Sequence, residues 1–164
     1  MLNELRNMLQ VSRAVGRGDD SRVETLCNSA LARDADDFFA LSMLANMYWR
    51  NEKYELALPL ALRVLASTPN DFNALRIAAQ SYSKHGNTAL TYRYAKCLST
   101  ANPSVSPYNL KIVDVLRPFI WIPKVRAMRT SAAEGAKEEE EYSADCIAWA
   151  QEYVLWYESQ SPAA

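Results

Sequence analysis

The sequence predicts an all-α chain: an array of antiparallel helix pairs followed by a helical C-terminal extension. Two observations carry this. The stretch "LARDADDFFAL" at Leu31–Leu41 returns as "LASTPNDFNAL" at Leu65–Leu75, with Asp37 and Asp71, Phe38 and Phe72, and Ala40 and Ala74 each separated by 34 residues. Apolar and small residues between these stretches recur at spacings of three and four, which places them on single helix faces. A fixed period with a helical rhythm inside it marks a repeated supersecondary unit.

The first unit, 4–37, is the most degenerate. Its helices are separated by "GRGDDS", where Asp19, Asp20 or Ser21 is available to cap the second helix. Gln10 and Val11 replace the Leu-Ala pair of the next unit, and Ala35 stands where that unit has Pro69. End units of an array have one face toward solvent, and about three units are needed for a stable stack, so three are expected.

The second unit, 38–71, reads Leu41, Leu44, Ala45 and Tyr48 on one helix, then Tyr54, Ala57, Ala61, Val64 and Leu65 on the next. Asn51 falls where the chain must reverse, and Pro69 prevents continuation. Ala45 and Ala57 let the two helices approach closely, with Tyr48 filling the space beside them. The third unit, 72–105, repeats the plan with Leu75, Ala78, Ala79 and Tyr82, a turn "SKHGN" holding Gly86, a helix from Ala89 to Leu98, and Pro103.

The pattern "L-x-x-L-A-x-x-Y" from Leu41 to Tyr48, with Ala57 and the closing Pro69, resembles the tetratricopeptide repeat family, whose unit is also a helix pair of about 34 residues. The third unit keeps Leu75, Ala79, Tyr82 and Pro103 but departs at Ala78, Thr91 and Ala95. The resemblance implies a right-handed superhelical α-solenoid whose concave wall is lined by the first helix of each unit. It also implies a non-catalytic role in binding other proteins, without a cofactor.

The first helices carry a second face beside the core stripe. It comprises Phe39, Ser42, Asn46, Trp49 and Arg50 in the second unit, and Asn73, Arg76, Gln80, Ser83 and Lys84 in the third. Such a wall is polar and basic with aromatic anchors, suited to an extended or helical peptide segment with acidic groups. Some family members clamp a chaperone's C-terminal carboxylate through a Lys and Asn pair. Here Asn46 occupies the Asn position but Ser42 replaces the Lys, so that clamp is not expected.

The rhythm stops after Pro103, and 106–164 is expected to be a helical capping or docking extension. "SPYNLKIVDVL" predicts a short helix, and Pro118 and Pro123 bracket the apolar "FIWI", which would cover the end of the array. A last helix is expected from near Lys137 to Tyr157. Tyr142, Cys146, Trp149, Tyr153 and Trp156 form one seam on it, and Ile147, Ala150, Val154 and Tyr157 a second. Glu138–Glu141 would lie at its start, where the helix dipole favours negative charge.

The totals agree with one folded domain: 164 residues, 49% hydrophobic and 23% charged. The formal charge of −1 averages a middle (38–105) of seven bases against three acids with flanks that are net acidic. This is too little basic surface for nucleic-acid binding, and no base-reading motif accompanies it. Cys27, Cys97 and Cys146 are scattered and odd in number, which predicts neither a disulfide framework nor a metal site. The N-terminal stretch lacks the apolar core of a secretory signal and no run is long enough for a transmembrane segment, so a cytoplasmic protein is expected. His85, the one histidine, falls in a turn with no nucleophile motif around it, so no enzyme is expected.

The leading expectation is therefore an adaptor that binds a peptide of another protein in its basic groove. Two alternatives share these features: a small three-repeat secretion-system chaperone, and a structural subunit that forms a homodimer through the aromatic C-terminal helix.

Overall fold

A computed structural model describes residues 2–103 and 123–160, with side chains from Arg6 to Pro103 and over 137–160 except residue 139. Among these residues the chain is all-helical: α1 Leu2–Val15, α2 Asp20–Leu31, α3 Phe38–Arg50, α4 Tyr54–Ser67, α5 Phe72–Lys84, α6 Thr88–Ser99 and α7 Pro123–Gln160. It divides into two compact units, Met1–Leu98 and Ser99–Ala164. The expected short helix after Pro103 and the "FIWI" segment lie outside the described residues.

Repetition is written in the backbone of the first unit. Second helices begin at Asp20, Tyr54 and Thr88, and first helices at Phe38 and Phe72, each step 34 residues. Every turn inside a pair places one residue in the left-handed region: Gly18 at φ 67°, Glu52 at φ 58° and Gly86 at φ 70°. The following N–H then reaches back five residues, from Asp19 to Ala14, Lys53 to Tyr48 and Asn87 to Tyr82, at 2.9–3.0 Å. This closes each first helix with the same carbonyl-satisfying motif. The degenerate first pair thus makes the same turn as its better-marked neighbours.

Side chains cap the helix starts at the same period. Asp37 Oδ1 accepts from Ala40 N–H at 2.9 Å and Asp71 Oδ1 from Ala74 N–H at 2.8 Å. Asp19 is the residue that caps α2, accepting from Arg22 N–H at 3.0 Å, and Asn87 serves α6 at 3.1 Å. Each such cap is worth about 1 kcal/mol and satisfies an N–H that the helix cannot. Lys53, in the same column, makes no side-chain cap bond.

The core is built in columns of the same period. Val11, Ala45 and Ala79 are buried together with Val23, Ala57 and Thr91, with Cys27, Ala61 and Ala95, and with Ala30, Val64 and Leu98. Small residues dominate, which allows close helix approach without voids. The departures Val11 and Thr91 are as fully buried as the residues they replace, and Thr91 hides its polarity by donating its hydroxyl proton to the Asn87 carbonyl at 2.8 Å. Around Cys27, burial and then the Asp37 carboxylate push the thiol up to about 12, keeping it a neutral core residue.

In the second unit, α7 runs for 38 residues and starts well before Lys137. Sequence periodicity misses its first turns because few large apolar residues mark "PKVRAMRTSAAEGA". Pro at the first helical position and the Ala, Lys, Arg and Met content favour helix there without needing an apolar face. Glu138–Glu141 consequently lie inside the helix rather than at its positive end, and the dipole does not account for them. Ser143, Cys146 and Ala150 are buried along one face. Tyr142 and Trp156 of the expected aromatic seam remain exposed.

Candidate functional site: the face of the first helices

Helices α3 and α5 meet through side chains from the polar face. Asn46 donates from Nδ2 to the Ser42 carbonyl at 3.0 Å, which orients its amide so that Oδ1 accepts from Arg76 Nη2 at 2.9 Å. The Arg76 guanidinium lies 5.6 Å from the centre of the Trp49 ring, within cation–π range. Trp49 also packs on Tyr54, with ring centroids 4.7 Å apart. Ser42, Asn46, Trp49 and Arg76, drawn from two repeats, therefore form one connected cluster.

The other expected residues fall into three groups. Arg76 is 3% exposed and Phe39 8%, so both are built into the protein rather than standing free on its surface. Asn73 and Gln80 are partly buried, one turn to either side of Arg76; Gln80 Oε1, like Ser42 Oγ, is shielded from solvent and makes no hydrogen bond among the described residues. Arg50 is exposed and turned toward α2, where its Nη2 stands 3.6 Å from Asp20 Oδ1. Lys84 is exposed at the end of α5. It occupies the column of Arg50, but Tyr54 replaces Asp20 opposite, and among the described residues no carboxylate lies within ion-pair distance of it.

A network that sequence reasoning missed joins the first two repeats. The Tyr48 hydroxyl donates to Glu24 Oε1 at 2.7 Å, and Asn51 Nδ2 donates to Asp20 Oδ2 at 2.7 Å. Burial first, then the hydrogen bond to Glu24, pushes the Tyr48 phenol up to about 12. Arg63 of α4 donates to the Ala35 carbonyl and reaches Asp36 Oδ1 at 3.3 Å, fastening the loop between the two pairs. His85 is exposed and donates from Nδ1 to the Ser81 carbonyl at 2.7 Å, as part of the α5 terminus.

Paired helices with a 34-residue period, a constant left-handed turn and a polar cluster bridging successive first helices define a tetratricopeptide-like helical-repeat fold. The chain is similar to a solved structure of MamA, described as "MamA MSR-1 C2", a tetratricopeptide-type protein. The two share 20% identity over 82% of this chain and 75% of that one, with a TM-score of 0.51. No family model matches the chain, and no curated protein matches it. Among the described residues, no helix is long and apolar enough to cross a membrane.

Proposed function

We propose that this protein is a non-catalytic interaction adaptor that binds an acidic peptide segment of another protein along the α3–α5 face. The observation that carries the reading is the fate of one column: Arg50 is neutralised by Asp20, whereas Tyr54 stands in the acid's place opposite Lys84, which meets no carboxylate among the described residues. The third repeat thus offers a cation to a partner, and the second uses its cation internally. The Arg76–Asn46 hydrogen bond ties α3 to α5 and so fixes the face on which Lys84 stands. Trp49, partly buried beside them, offers apolar surface to a neighbouring side chain.

The test is a peptide array of matched acidic, neutral and basic sequences probed with the whole chain. Acidic peptides are expected to be retained, and Lys84→Glu should weaken them roughly ten-fold while Arg50→Glu, already paired with Asp20, changes affinity much less. Equal losses from the two reversals would reduce the effect to overall charge and remove the groove from the account. Equal retention of acidic and neutral peptides would do the same.

A further inference from the structure

The second unit carries a surface of opposite character that the adaptor reading does not use. Along α7 an aromatic residue recurs every seven positions, at Tyr142, Trp149 and Trp156, and each is preceded four residues earlier by a carboxylate, at Glu138, Asp145 and Glu152. A step of four places each acid on the same face as its aromatic, one turn toward the N-terminus. A step of seven repeats the pair every two turns, about 10 Å along the axis. Tyr142 and Trp156 are each 49% exposed, Trp149 between them is partly buried, and Glu138, Asp145 and Glu152 are all exposed. Tyr153 bridges the upper two rings, with centroids 5.8 Å from Trp149 and 5.3 Å from Trp156, so the aromatic surface there is continuous.

The charge around this ladder is one-sided. From Glu138 to Gln160 the sequence holds seven acids and no Lys, Arg or His. A second copy of the same helix is a poor occupant, because a two-fold pairing sets the strip against itself and brings the carboxylates of one strand against those of the other. A cation suits both halves of every rung: the ring face attracts it through the quadrupole, and the neighbouring carboxylate pairs with it. The seven-residue period selects the form of the partner, since only a helix presents side chains at this rise with the same repeat.

We infer that the Glu138–Trp156 face of α7 is a docking surface for a basic helix of a partner protein, with one Arg or Lys per heptad seated on each aromatic and its carboxylate. This surface lies in a different unit from the α3–α5 face and takes a ligand of opposite sign, so the two readings stand or fall separately.

The experiment uses the whole chain and a fluorescently labelled three-heptad helical peptide with one Arg per heptad on an Ala and Gln background, followed by anisotropy. Saturable binding that weakens with added salt is expected. A peptide of identical composition with its arginines moved off the seven-residue period should bind roughly ten-fold more weakly, and so should the in-register peptide to the Glu138→Gln/Asp145→Asn/Glu152→Gln variant. Those substitutions are exposed and nearly isosteric, and an unchanged helical circular dichroism signal verifies the fold. A Trp149→Leu/Trp156→Leu variant tests the ring contribution with the charges left in place. Equal binding of the two peptides, or undiminished binding by the acid-neutralised chain, would overturn the inference. So would failure of the peptide to bind, or sedimentation showing a dimer in which the peptide no longer competes for the strip.

Discussion

The junction between the first and second repeats and the junction between the second and third share one backbone plan and differ in chemistry. At the first, Asp20 of α2 forms an ion pair with Arg50 of α3 and accepts from Asn51 just beyond it, and Glu24 accepts from Tyr48. At the second, the columns of those two acids hold Tyr54 and Leu58. The donor column persists as Tyr82 and Lys84 of α5 and His85 just after it, but both carboxylates opposite are replaced. Repeat geometry is therefore set by the turn, which keeps one backbone conformation, and by the core columns, which stay buried and small or apolar in every repeat. The side chains between repeats are then free to decide order along the stack, stability and the availability of charge. In a linear array each repeat is stabilised by its own folding and by its nearest neighbours. A junction made of hydrogen bonds contributes less than one made of buried apolar area, because polar groups exchange protein partners for water on opening.

The largest expected effect tests where stability resides. Ile77 of α5 is fully buried, and Ile77→Ala removes its contacts and leaves a cavity, which should cost about 2–4 kcal/mol in chemical denaturation. Hydrogen exchange resolves the two junctions: amides of α1 and α2 should open at lower free energy than those of α3 to α5 in the wild type, and Ile77→Ala should bring the two groups together. If the α1–α2 amides are the better protected in the wild type, the polar junction is the stronger of the two.

A smaller effect comes from the polar junction itself. Tyr48→Phe keeps the buried ring but deletes the hydrogen bond to Glu24, at a cost of about 1 kcal/mol near neutral pH. The pH dependence gives a signature. Tyr48 is raised from 10.0 to about 12 in the folded chain, so between these values the unfolded chain has released its proton while the folded one still holds it. The unfolded state then binds fewer protons, the slope of stability with pH is negative, and the contribution of Tyr48, whole below pH 10, is lost as pH rises through 12. The difference between wild type and Tyr48→Phe should accordingly shrink above pH 10 in urea titrations made at stepped pH. A constant difference would mean that Glu24 does not hold the phenol proton.

These particulars show which parts of the molecule the sequence displays. The 34-residue offset is visible because cap, turn and core residues must recur for the backbone to repeat, and Asp37 and Asp71 show it twice over as caps and as matching letters. The first repeat hides its kinship because a buried column asks for a small or apolar residue rather than a particular one, and Val11 and Cys27 satisfy it as well as Ala45 and Ala61. The polar face is legible as a face, since helical spacing alone puts Ser42, Asn46 and Trp49 together. What each member does there is not. Arg50 and Lys84 share a column, and only the residue opposite, 30 positions away in sequence, distinguishes a cation with a carboxylate partner from one that has none among the described residues. The Tyr48–Glu24 bond is hidden for the same reason, spanning 24 residues with no local pattern to announce it.

The smallest expected effect concerns the element that does not differ between the junctions. The left-handed turn position holds glycine at Gly18 and Gly86 but glutamate at Glu52, with φ 58°. An L-residue with a Cβ is strained there by roughly 1 kcal/mol, because Cβ approaches the following carbonyl, and glycine avoids that contact. Glu52 is exposed, and its N–H already donates to the Trp49 carbonyl at 3.0 Å through the backbone, a bond that any residue could make. Glu52→Gly should therefore stabilise the chain slightly, by up to about 0.5 kcal/mol once the greater freedom of glycine in the unfolded state is subtracted. The converse substitution, Gly86→Ala, meets nothing within 4 Å of its new Cβ, so any loss it causes reports backbone strain alone. A gain at 52 matched by a loss at 86 would establish that one turn geometry is imposed on every pair by the stack. A neutral Glu52→Gly would instead mean that this side chain offsets its own strain, and that the second pair, unlike the other two, owes its turn to a contact of Glu52 rather than to glycine's freedom.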